Sequence, residues 1–204
     1  MLAYHQAAVE LEHTFGDFVK EDVVDGVSVS YEFWDSSGSS EYDNIRPLIY
    51  PRTNVLLIAF SICDPQSLES VATKWLPELA AKYDQSILTK LPIILVGCKS
   101  DTRPQSLDIN PSILQPDQGK ALAAQIGACA YIECSSHTKE GVQRVYESAL
   151  RAGMKPGFEG LPVPTNSKSR NNTSSGRNAI DLRDVGRKIK NVIWGGGWFH
   201  RSKP

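Results

Sequence analysis

Two apolar runs, NVLLIAFSI (54–62) and PIILVGC (92–98), constrain the fold more than any other feature of the sequence. Neither alternates with polar residues, so each needs cover on both faces, which is the pattern of central strands in a parallel sheet. AYIEC (130–134) is a shorter run of the same kind, while VSVSYEFW (27–34) alternates with period two and reads as half-buried. Helical spacing fills the intervals. Residues 66–83 carry Leu68, Val71, Trp75, Leu79 and Tyr83 three or four apart, and residues 117–126 and 139–153 are similar, with Asp117 and Thr138 placed as N-caps. Strands alternating with helices predict an α/β fold, a mostly parallel sheet with helices on both faces. With 204 residues the chain has room for one such core.

Charge divides the chain in two. The net charge is -1, but residues from Lys155 onward carry ten Lys and Arg against Glu159, Asp181 and Asp184. The sequence predicts a domain over 1–154 and a basic tail over 155–204, whose Pro, Gly, Ser and Asn content reads as disordered. Such a tail suits either plain solvation or an anionic membrane surface. Cys63, Cys98, Cys129 and Cys134 form no CxxC pair, which fits a reducing, cytoplasmic compartment. The N-terminus lacks a signal-peptide pattern, and no run approaches the about 18 apolar residues of a membrane span.

Ligands of open parallel sheets bind beyond the C-terminal ends of the strands. Three stretches fall there: Asp35-Ser-Ser-Gly38, Cys98-Lys-Ser-Asp101 and Cys134-Ser-Ser-His137. Each alone reads as an ordinary turn. Together, in order on one sheet edge, they point to a single site.

The order Asp-x-x-Gly, Lys-x-Asp, Cys-Ser-Ser resembles the nucleotide motifs of Ras-type small GTPases. EYDNIRPLIYP and KWLPEL resemble the Rho family, as does the segment TRPQSLDINPSILQ after Asp101. SGSSEYDNIRP, LVGCKSD and DQGKALAAQIGACAYIECS are similar to the Rnd subgroup. The resemblance implies a Ras-like P-loop NTPase fold, with GTP and Mg²⁺ as ligands. Asp101 would accept two hydrogen bonds from guanine, Lys99 would lie over the base and ribose, and Ser135 and the Ser136 amide would meet the base from the other side. Cys98 stands at the family's asparagine position and His137 at a lysine or leucine position, and both count among the nucleotide-binding residues. Asp35 would hold Mg²⁺ through water, and the Gly38 amide would face the γ-phosphate. The effector surface would comprise Phe15, Asp17, Phe18 and Val19 with Tyr42, Asp43, Arg46, Leu48 and Tyr50.

Several features depart from that pattern. Ser39 occupies the position of the water-orienting glutamine, so no catalytic residue is assigned and hydrolysis is expected to be weak or absent. G-x-x-x-x-G-K-[ST] occurs nowhere in the 204 residues. MLAYHQ resembles the helix that follows that loop, so the first strand and the P-loop are expected to be absent and the sheet to lack a strand. In switch I, His13 falls at the threonine position by direct count, and a one-residue slip restores Thr14 as the Mg²⁺ ligand. No Cys-a-a-X box is present. Three functions stay open: a Rnd-type GTP-binding switch that regulates the actin cytoskeleton through effectors, with no nucleic-acid partner; a nucleotide-free pseudo-GTPase acting by protein contacts; and an active Rho GTPase with an incomplete N-terminus. Localisation is expected in the cytoplasm or at the inner face of the plasma membrane.

Overall fold

The computed structural model describes residues 17–104, 112–155, 160–162 and 189–195, the backbone alone for 17–20 and 189–195. In chain order the elements are β1 (Asp17–Val24), β2 (Val27–Ser36), β3 (Thr53–Ser61), α1 (Pro65–Ser70), a π-helical turn (Val71–Trp75), α2 (Leu76–Ala80), α3 (Gln85–Leu88), β4 (Ile93–Cys98), α4 (Pro116–Gln125), β5 (Ala130–Cys134), α5 (Val142–Met154) and β6 (Ile189–Gly195). Short 3-10 turns at Ser40–Tyr42, Arg46–Leu48 and Ser100–Thr102 complete the list.

The sheet order is β1-β2-β6-β3-β4-β5. β1 and β2 form an antiparallel hairpin through Asp25 and Gly26, both at positive φ (52° and 79°), as a two-residue primed turn demands. All other pairings are parallel. The apolar runs behave as their composition requires. Along β3, Leu56, Ile58 and Phe60 join Val71, Trp75, Leu79 and Ala123 on one face, while Val55, Leu57 and Ala59 join Val145, Ala149 and Ala152 of α5 on the other. Helices therefore cover both faces, as predicted.

β6 corrects two expectations. Residues 189–195 were expected in a disordered tail, yet they form a central strand, parallel to β2 from Ser30↔Ile189 to Ser36↔Gly195 and to β3 from Thr53↔Asn191 to Ile58↔Gly195. The sheet was expected to lack a strand, and β6 fills the gap between β2 and β3. The physical reason is demand for backbone partners: without β6, two buried strands would each carry a row of unpaired N–H and C=O groups. Residues 163–188 lie outside the described set.

Two cap assignments also change. α4 begins at Pro116 with Gln115 as N-cap in a reciprocal capping box with Gln118, so Asp117 sits within the first turn. α5 begins after Gly141, while Thr138 Oγ1 accepts a hydrogen bond from the Glu140 amide (3.4 Å) in the loop before it.

Candidate functional site

β2, β4 and β5 end on the same edge of the sheet, as parallel pairing requires, and each passes there into one of the three loops singled out in the sequence. Asp35 and Ser36 are the last residues of β2, paired in register with Trp194 and Gly195 of β6. Cys98 ends β4 and Cys134 ends β5, directly paired. The structure thus brings Asp35, Gly38, Cys98, Lys99, Asp101, Ser135, Ser136 and His137 to a common edge.

The loop after β2 is held from behind by cations. Arg46, 1% exposed, donates from Nε to the Ser37 carbonyl (3.0 Å), from Nη2 to the Ser39 carbonyl (2.9 Å), and from Nη1 to Asp43 (2.9 Å) and Glu78 (2.6 Å). Lys74 Nζ donates to the Gly38 carbonyl (3.3 Å) and pairs with Asp43 (3.1 Å). Both cations also lie over the Trp75 ring, at 4.8 and 4.7 Å from its centroid. Lys74 and Trp75 belong to the π-helical turn, a local widening that often marks a functional stretch of helix. Three successive carbonyls thus face the protein. In a trans peptide the N–H points opposite the carbonyl, so the Gly38 amide is turned away from Arg46. An amide so presented, on a residue without Cβ, fits a phosphate oxygen.

The loop after β4 turns sharply at Lys99, which adopts φ 63° and ψ 40°. Thr102 closes the turn on the Lys99 carbonyl through its amide (3.0 Å) and hydroxyl (2.7 Å). Arg103 fastens it to β5: Nη1 and Nη2 donate to the two Glu133 carboxylate oxygens at 2.6 and 2.9 Å, and Nη2 also donates to the Leu114 carbonyl (2.8 Å). Burial alone would raise the Glu133 pKa, but bonds from Arg103 and the Tyr131 hydroxyl (2.6 Å) hold it below its ordinary value. Asp101, in the middle of this turn, is exposed.

In the loop after β5 the buried Ser135 hydroxyl accepts from the His137 and Thr138 amides (3.1 Å each), so this side chain shapes the turn from within. Ser136 and His137 are exposed. Gly141, at φ 73°, closes the loop against β5. A Cβ there would stand 2.1 Å from the Glu133 carbonyl oxygen, so the position admits no side chain without backbone movement.

The expected effector surface is only partly a surface. Arg46 and Tyr50 are buried (1% and 4% exposed). Tyr50 donates to Glu78, the same carboxylate that Arg46 engages, and burial with that neighbour pushes its hydroxyl pKa well above the usual range. Both residues position the loop from below rather than meet a partner. Leu48 is exposed at 74%, and Tyr42 and Asp43 are half-buried. Asp17, Phe18 and Val19 lie on β1 opposite Trp34, Phe33 and Glu32. Thr14, Phe15 and the question of His13 fall outside the described residues. Of the expected Mg²⁺ ligands only Asp35 is described, and among the described residues no group of three His, Cys, Asp or Glu could itself hold a metal ion. Sequence reading missed Lys74, Glu78, Arg103, Glu133 and Gly141. Only Gly141 left a local signal, a glycine inside the first turn of the helix expected over 139–153, where the observed helix begins one residue later.

Among the described residues no helix is long and apolar enough to cross a membrane. The family model described as Ras family matches residues 4–155, well over half of the chain and inclusive of all three loops. The chain belongs to the Ras family of small GTPases.

Proposed function

We propose that this protein is a guanine-nucleotide-dependent switch of Rho type, closest to the Rnd subgroup, that hydrolyses GTP weakly or not at all and signals to actin regulators through effector binding. The observation that carries the reading is the common edge itself: Asp35 to Gly38, Lys99 to Asp101 and Ser135 to His137 lie at the ends of strands of one sheet. In this reading Asp101 accepts from the guanine N–H groups, which an adenine cannot supply, and the Lys99 stem covers the base. Cys98 and Ser135 shape the base loops from below. The Ser136 amide and His137 flank the base. Gly38 offers its amide to the terminal phosphate, and Asp35, with Thr14, orients Mg²⁺, which when bound would neutralise phosphate charge. Ser39 is exposed, and its hydroxyl is weakly engaged by the Glu41 amide (3.4 Å). A serine there is too short to orient an attacking water. Leu48, Tyr42 and Asp43, with Asp17, Phe18 and Val19 of β1, form the effector surface, and the basic segment 155–188 meets an anionic membrane face.

The test is direct. Protein purified from cells is denatured and its released nucleotide separated by chromatography. The reading expects stoichiometric guanine nucleotide, mostly GTP. Absence of nucleotide would support the second reading, a pseudo-GTPase acting through protein contacts alone.

A further inference from the structure

Cys98 and Cys134 are direct register partners in the parallel β4–β5 ladder, each the last residue of its strand. Paired residues of neighbouring strands point to the same face, and both cysteines pack in the same cluster under α5. Neighbouring strands lie about 4.8 Å apart, inside the roughly 4.4–6.8 Å between Cα atoms that a disulfide spans. Both thiols are free. We infer that Cys98 and Cys134 form a reversible disulfide under oxidation, which ties together the roots of the Lys99–Asp101 and Ser135–His137 loops.

The chemistry balances with hydrogen peroxide as oxidant. Each thiol is the other's neighbour, and the proximity of Cys98 holds the Cys134 pKa below its ordinary value while Cys134 and burial raise that of Cys98. The Cys134 thiolate attacks a peroxide oxygen, giving a sulfenic acid and hydroxide. The Cys98 sulfur then attacks the Cys134 sulfur and expels a second hydroxide, which takes the Cys98 proton. Two thiols lose two protons and two electrons, and peroxide leaves as two waters. Cys134 itself is buried (1% exposed), and a small oxidant reaches it past Cys98, which is only partly buried. Cys63 and Cys129 are exposed and neither pairs with Cys98 or Cys134 in the ladder, but the Cys63 sulfur lies 3.2 Å from the hydroxyl of Ser61, the β3 partner of Cys98, so both are removed in the test.

The test uses the full chain carrying Cys63→Ser and Cys129→Ser. The two remaining thiols should titrate in denaturant before peroxide treatment, vanish after it and return with dithiothreitol. A non-reducing tryptic map should show residues 91–99 joined to 121–139, two hydrogens lighter than the sum. Thiols that persist, or a loss that reductant does not reverse, would overturn the disulfide. A further Cys98→Ser change should abolish the joined peptide. The functional consequence rests on the nucleotide reading above. With a fluorescent guanine nucleotide bound, oxidation should alter its release rate several-fold and reductant should restore it, with no response in Cys98→Ser. A joined peptide with unchanged release would overturn the coupling to the loops. If the reduced protein holds no nucleotide, the nucleotide reading fails and the peptide map alone decides the disulfide.

Discussion

Replacing Arg46 by methionine isolates what the buried guanidinium does for the loop that carries Gly38. Methionine keeps much of the apolar stem over Trp75 and removes every donor. The Ser37 and Ser39 carbonyls and the Glu78 carboxylate then lose partners at 3.0, 2.9 and 2.6 Å. Asp43, 41% exposed, recovers water and keeps Lys74, so its loss counts for little. A buried acceptor left without a donor costs about 1–3 kcal/mol, and breaking one partner of a buried ion pair about 3–5 kcal/mol. These figures overlap because the same atoms enter both, so the expected loss is about 3–5 kcal/mol. For a chain of this size that corresponds to a fall in Tm on the order of 10 °C. Urea unfolding followed by tryptophan fluorescence measures it, since Trp75 lies against the replaced group. A loss under about 1 kcal/mol with an unchanged m-value would show that the loop does not depend on Arg46. Glu78→Gln, which keeps an acceptor but not the charge, should cost about 1–2 kcal/mol.

Other outcomes follow from the same geometry. Asp101→Asn exchanges an acceptor for a donor at the proposed guanine edge and should lower guanine selectivity at least a hundredfold in competition binding; unchanged selectivity would remove Asp101 from the site. Ser39→Gln should raise single-turnover GTP hydrolysis, and a flat rate with and without a Rho-type activating protein would place the defect elsewhere. The folded-state pKa of Glu133 lies below its ordinary 4.5, so its contribution is present above that value and is lost as pH falls through the folded pKa. Arg103→Ala should therefore flatten the acid side of the stability profile below about pH 4.5 and leave its slope near neutrality unchanged. Removing residues 189–204 should abolish cooperative unfolding by urea, because β2 and β3 would each lose a backbone partner; a sharp transition of native m-value would contradict the central place of β6.

The sequence revealed what is local or compositional. The runs in β3 and β4 were legible because strands covered on both faces have no polar side to show, and the three loops were legible because each follows a recognisable strand end. Arg46 was read as exposed because arginine usually is. Its burial depends on Glu78, 32 positions away, and on carbonyls whose direction no side-chain pattern records. Arg103 and Glu133 escaped for the same reason. Asp25-Gly26 was legible and was not used: β1 was missed because DFVKEDVV alternates poorly, although the dipeptide after it is a strong hairpin signal. β6 was illegible because a lone short strand gains stability only from neighbours, and its neighbours lie far back in the chain.

That last point sets an order of events during synthesis. Among the described residues, the β1–β2 and β3–β4–β5 ladders are joined by backbone pairing only through β6. Until residues 189–195 arrive, the nascent molecule is two half-sheets, each with an inner edge of unsatisfied hydrogen-bonding groups. The Ser30–Ile189 pairing closes a loop of well over a hundred residues, a contact that costs entropy before it returns any stability. β6 must also enter between two strands already made, in parallel with both. Closure of the sheet is therefore a late step, and the open edges are exposed for as long as translation takes. A released chain that stops before residue 189 should then be captured more by chaperones that bind extended segments than the 204-residue chain.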